Sequence, residues 1–165
     1  MRLITKRFLL IFIATISIVS LCYALYSQYY LLEQPCPLCI AQRIIIAIIA
    51  IIALIAAIHN PKGIMLKFYS IIITGFSIFG IKVAAHHYWI MHLPLDQQPA
   101  SCGMPLEILF KRLPLGSFIR YILAGDAECA KTTWEILGME APTAMIMLCS
   151  IILVITIYIF FSKSE

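Results

Sequence analysis

Charge is scarce in this chain. Of 165 residues only 8 are Asp or Glu and 12 are Lys or Arg, whereas 62% are hydrophobic, and the mean hydropathy is +0.99. A soluble domain carries about a quarter charged residues, so a water-soluble fold is excluded and an integral membrane protein is indicated. Glycine is sparse as well: the seven are scattered, and none builds a phosphate-cradling loop. Without an internal repeat, a low-complexity tract or a block of like charge, nucleotide and nucleic-acid binding are disfavoured. The net charge of +4 has a topological source, because Arg2, Lys6, Arg7, Lys62, Lys67 and Lys163 all stand beside apolar runs.

What is plentiful is long apolar sequence. The fold class expected is an all-α membrane protein, a four-helix bundle in one domain over 1–165, with spans near 8–28, 40–58, 64–86 and 143–161. The first run is read as a span, not a cleaved signal, because it continues through large residues into Tyr29-Tyr30-Leu31-Leu32. Bulky Leu21 argues against lipid attachment at Cys22, which is read as buried packing, as are Cys149, Met145 and Met147. In the second run Ala47, Ala50, Ala53 and Ala57 form a narrow face for close helix approach. Lys67 and Lys82 near the ends of the third can snorkel. Basic residues flank the N-terminus, the Asn60 to Lys67 turn and the tail, which predicts both termini in the cytoplasm and the loops 29–39 and 87–142 on the outer, oxidising side.

The chain is organised around Pro35-Cys36-Pro37-Leu38-Cys39, followed by Gln42-Arg43. Cys39 falls where the second span begins as a helix, so its sulfur feels the positive end of the helix dipole. Arg43, one turn deeper on the same face, is a second stabiliser of a thiolate. Such a dithiol reads as redox-active. Zinc is disfavoured, since the short loop offers no further ligand, although His86 and His87 can complete a set across the bundle; no metal site is expected. A non-catalytic four-span scaffold with structural disulfides is the bland alternative, but an exposed pair beside an arginine is a poor staple. The long loop holds Cys102 and Cys129, which should pair on the oxidising side, closing 26 intervening residues. Between them Leu106, Leu109, Phe110 and Leu113, behind Pro105, predict a short amphipathic helix that, with Ile119, Ile122 and Leu123, would lie on the outer bilayer surface.

The Cys36-Pro37-Leu38-Cys39 segment with Gln42-Arg43, His92-Leu93-Pro94 after the third span, Ser101-Cys102-Gly103, Gly125-Asp126-Ala127-Glu128-Cys129-Ala130 and Trp134-Glu135-Ile136-Leu137-Gly138 together resemble the DsbB family of bacterial inner-membrane disulfide-bond-forming proteins. The resemblance covers most of the length. It implies a thiol:quinone oxidoreductase that reoxidises a periplasmic DsbA-like protein of thioredoxin fold and passes the electrons to ubiquinone or menaquinone. Cys102 matches the position that forms the mixed disulfide with the partner, and Cys129 its mate, able to attack Cys36. Cys39 matches the thiolate facing the quinone, and Arg43 the quinone-proximal arginine. At the end of the third span His86-His87 departs from the family pattern; His87 is the better match to a quinone-side histidine, with both rings at the wet interface beside Tyr88 and Trp89 as the competing reading. His59 and His92 are read as interfacial.

Relatives of vitamin K epoxide reductase also couple such a pair to a quinone, but they place the quinone-side pair late in the chain; here the order is reversed. A paralogue dedicated to one secreted partner is a narrower alternative. Which quinone, which partner, the oligomeric state and the resting connectivity, including a Cys36–Cys129 bond, stay open at this level.

Overall fold

The computed structural model describes residues 2–30, 32, 35–94, 96–97, 111–130, 135–136 and 139–162. Among the described residues four helices are long and apolar enough to cross a membrane: α1 Arg2–Tyr30, α2 Pro37–His59, α3 Ile64–Met91 and, last in order, α6 Ala141–Phe161. Two short helices, α4 Leu115–Ala124 and α5 Ala127–Ala130, and a hairpin of β1 Glu135–Ile136 and β2 Met139–Glu140 precede α6. The hairpin pairs Glu135 with Glu140 and Ile136 with Met139. The chain is an all-α, multi-pass membrane protein in which this hairpin is a minor addition.

Each helix boundary has a local cause. Cys36, in extended conformation, caps α2: its sulfur accepts from the backbone N–H of Cys39 at 3.3 Å, and Pro37 fills the first turn, where no N–H is needed. Asn60 closes α2 in the left-handed region at φ 47°, and its N–H returns to the Ala56 carbonyl. Pro61 and Gly63, the latter at φ 60°, then turn the chain into α3, which runs on to Met91, past the expected end at residue 86.

α2 is the centre of the bundle. Half of its apolar window is buried, against 22–28% in the other three. Ala50, Ala53, Ala56 and Ala57 lie on its buried face, where small side chains let neighbours approach. α1 and α3 pack on α2 and α6 packs on α3, while α1 and α6 scarcely touch. The α3–α6 contact is close at Gly80, where an added Cβ would stand 2.8 Å from Cys149 Sγ; deeper along the same pair, the Thr74 hydroxyl donates to Thr156 Oγ1 at 3.0 Å. At the far end, the Lys6 ammonium donates to the carbonyl of Ser162 at 3.1 Å, tying the start of α1 to the end of α6. Acceptance of a cation suits a helix C-terminus.

Two packing expectations are corrected. Cys22 is exposed: α1 buries Leu10, Ile13, Ala14, Ser17, Ala24 and Ser27, and Cys22, two residues from Ala24, is turned about 200° away from that face. Met147 is likewise exposed, whereas Met145 and Cys149 are buried. The amphipathic helix expected behind Pro105 lies outside the described residues apart from its end, where Lys111 and Arg112 are helical. The described amphipathic helix is α4, which begins after Pro114, exposes Leu115 and Ile119, and buries Ile122 in its packing on α2.

Candidate functional site

The site forms where the segment between α3 and α6 folds back on the beginning of α2. Gly125, at φ 75°, ends α4 so tightly that a Cβ there would meet Leu38 and Ile90 side chains at 2.8 Å. The left-handed backbone also favours glycine at this turn. The Asp126 carbonyl accepts from the Cys129 N–H at 3.0 Å, and the Asp126 carboxylate accepts from the Tyr121 hydroxyl at 2.9 Å. α5 thereby carries Cys129 into the protein, where it is fully buried.

Three sulfurs meet there. The Cys36 thiol donates to Cys39 Sγ at 3.1 Å, and Cys129 lies near enough that it and Cys36 each perturb the other's ionisation. For the two thiols outside the spans, surroundings disfavour the charged form. The Cys129 contact lowers Cys36, but its bond to Cys39, burial and the charge on Cys39 outweigh it and push Cys36 up to about 12. The Cys129 thiol is raised by neighbouring Cys36 and then by burial.

His87 is fully buried beside them. Its Nε2 stands 3.7 Å from Cys36 Sγ and 3.3 Å from the Cys129 carbonyl, and its Nδ1 stands 3.2 Å from Gln42 Nε2. His86 faces elsewhere: its Nε2–H donates to the Ala124 carbonyl at 3.0 Å, and its ring stacks on Trp89. His59 and His92 are exposed.

On the other side of Cys39 a cavity opens between α1 and α6, which scarcely touch. Its volume is about 700 Å³ counting the mouth. α1 contributes Ser20, Leu21 and Ala24, α2 contributes Cys39, Gln42, Arg43 and Ile46, and α6 contributes small Ala141 and Ala144 with Met145 and Leu148. Arg43 is held at this wall by donating to Gln28 Oε1 and, at 3.0 Å, to the Ala24 carbonyl. An apolar void with a few convergent polar groups is the usual form of a small-molecule site.

The structure thus brings Cys36, Cys39, Cys129 and His87 into one cluster and puts Arg43 with Cys39 on the cavity. Cys102 lies outside the described residues. His87 meets the cavity wall through Gln42, a residue to which the sequence assigned no role; its signal was a buried amide among apolar neighbours on α2.

Residues 6–159 match the family model described as Disulfide bond formation protein DsbB. The chain belongs to the DsbB family. It is 38% identical over 157 residues to Disulfide bond formation protein B of Psychrobacter sp., covering 93% of this chain and 91% of that one. It is 37% identical over 126 residues to the protein of that name from Methylococcus capsulatus, covering 76% of each. With that of Acinetobacter baylyi the identity is 37% over 143 residues, 86% of this chain and 83% of the relative. DsbB membership and the four apolar helices make this a membrane oxidoreductase of disulfide bond formation.

Proposed function

We propose that the chain is a thiol:quinone oxidoreductase that reoxidises a periplasmic DsbA-like dithiol protein through two cysteine pairs. The observation that carries the reading is the order Cys129, Cys36, Cys39, cavity, with the Cys36 and Cys39 sulfurs in hydrogen-bond contact, Cys129 near Cys36 and Arg43 with Cys39 on the cavity wall. Disulfide exchange needs a thiolate in contact with the sulfur that it attacks, and this order suits passage from Cys129 through Cys36 to Cys39.

A thiolate of the reduced partner attacks Cys102 of the Cys102–Cys129 disulfide, forming a mixed disulfide and releasing Cys129 as thiolate. The partner's second thiolate resolves the mixed bond, leaving with a disulfide and returning Cys102 reduced. Cys129 attacks Cys36, breaking the Cys36–Cys39 bond and releasing Cys39 as thiolate. Cys102 then attacks Cys129, which restores the outer disulfide and leaves Cys36 and Cys39 reduced. The Arg43 guanidinium and the start of α2 stabilise the Cys39 thiolate, and His87 Nε2 faces the sulfur of Cys36.

The apolar cavity with Arg43, Gln42 and Ser20 on its wall fits a quinone ring, and a quinone held there would accept two electrons and two protons from the Cys36–Cys39 dithiol. We assign Arg43 to its binding, with His87 acting through Gln42. Ubiquinone and menaquinone fit this chemistry equally. The Lys6–Ser162 contact puts both chain ends at the face opposite the cysteines, which supports cytoplasmic termini in a bacterial inner membrane and cysteine loops in the periplasm.

The test is quinone reduction followed optically in detergent after mixing with a reduced thioredoxin-fold partner. Stoichiometric partner oxidation and quinone reduction, both lost in Cys36→Ala and requiring about tenfold more quinone in Arg43→Ala, are expected. Partner oxidation that persists in Cys36→Ala would overturn the relay.

A further inference from the structure

The cluster has a second property that electron transfer does not use. Cys36 Sγ, Cys39 Sγ and a ring nitrogen of His87 all lie within 4.8 Å of one another, and all three residues are buried. We propose that the reduced chain binds one zinc-type divalent cation through Cys36, Cys39 and His87, with water in the fourth position, and that oxidation of the pair abolishes the site.

The geometry is near to what such an ion needs. Zinc bonds of about 2.0–2.3 Å in a tetrahedron put ligand atoms roughly 3.5–3.8 Å apart. Cys36 Sγ and His87 Nε2 are already 3.7 Å apart, and the two sulfurs, at 3.1 Å, need to open by about 0.7 Å, which small side-chain rotations provide. The Cys39 N–H already bonds Cys36 Sγ, a contact that supports a thiolate ligand. Metal-bound His normally donates its other N–H to an acceptor. Gln42 is placed to serve: on metal binding the amide reverses, Oε1 accepts from Nδ1–H, and Nε2 exchanges its bond to the Cys129 carbonyl for the metal.

Binding is not a redox step. Cys36 and Cys39 each release a thiol proton, two sulfur–metal bonds and one nitrogen–metal bond form, and two protons leave to water. In the disulfide neither sulfur is a thiolate, so oxidation removes two of the three ligands. The site therefore reports the redox state of the pair, and an ion held there keeps both sulfurs from exchange.

The test uses full-length Cys102→Ser/Cys129→Ser protein in detergent, which removes the outer pair but keeps the three ligands. It is reduced, loaded with Zn²⁺, desalted and assayed for metal. About one retained zinc per chain is expected, lost on oxidation with diamide and in Cys39→Ser, and held more than about tenfold more weakly in His87→Ala. Failure of the reduced protein to retain zinc, or equal retention after oxidation, would overturn the proposal. X-ray absorption on the zinc-loaded, unsubstituted reduced chain reads the ligands without relying on a variant's folding: sulfur and imidazole scattering is expected, and sulfur alone would remove His87. Quinone reduction is measured separately, so failure here leaves the relay standing.

Discussion

Gln42 and His87 clamp each other. The Gln42 amide nitrogen is 3.2 Å from His87 Nδ1, while Nε2 is 3.3 Å from the Cys129 carbonyl. A carbonyl can only accept, so in the metal-free protein the ring proton belongs on Nε2 and Nδ1 accepts from the amide. With Gln42 7% exposed and His87 fully buried, water does not replace either bond, and the N–H of the ring is aimed at the Cys129 carbonyl beside Cys36.

Substituting Gln42 therefore disturbs a tautomer. Gln42→Leu leaves Nδ1 unpaired in the interior, a cost of about 1–3 kcal/mol. Gln42→Glu draws the ring proton to Nδ1 and turns Nε2 into an acceptor facing the Cys129 carbonyl. Both are expected to slow electron passage from the outer to the inner pair by about tenfold, with the ring-nitrogen NMR shifts exchanging only in the Glu variant. A normal rate in Gln42→Leu would show the clamp to be idle.

The α3–α6 contact is tested at Gly80. A methyl there stands 2.8 Å from Cys149 Sγ, so Gly80→Ala should cost about 1–3 kcal/mol through overpacking. The Gly80→Ala/Cys149→Ala pair, which removes the opposing sulfur, should recover most of it. A thermal-melting double-mutant cycle measures the coupling; additive losses would mean that the helices separate to make room.

Reduced and oxidised protein should respond differently to alkali. In the folded reduced chain Cys36 holds its proton up to about 12, against the usual 9.0, and Cys129 is raised too. Raised folded values contribute stability below pH 9 that is lost as pH climbs toward 12, because the unfolded chain gives up those protons first. The melting temperature of the reduced form should accordingly fall faster over this range than that of the disulfide form, which lacks these thiols. Parallel melting curves would contradict the burial of the cluster.

The grouping at the start of α2 was legible because it is local. Cys36, Cys39 and Arg43 lie within eight residues, and Pro37 at a helix start fixes which way they face. What escaped is relational. Gln42 and His87 are 45 residues apart, and no periodicity links them. The side of α1 that Cys22 occupies escaped for another reason: a helix apolar all round shows no contrast between lipid and protein. The cavity was hidden similarly, since Ala24, Ala141 and Ala144 acquire meaning only when α1 and α6 stand apart.

That parting of α1 and α6 also sets the units in which affinity is to be counted. A lipid-soluble ligand that reached Cys39 between α1 and α6 would arrive by two-dimensional diffusion from the bilayer, having already partitioned out of water. Its half-saturation point then follows its mole fraction in lipid, and diluting the membrane with inert phospholipid slows turnover even while the total concentration in the tube is unchanged.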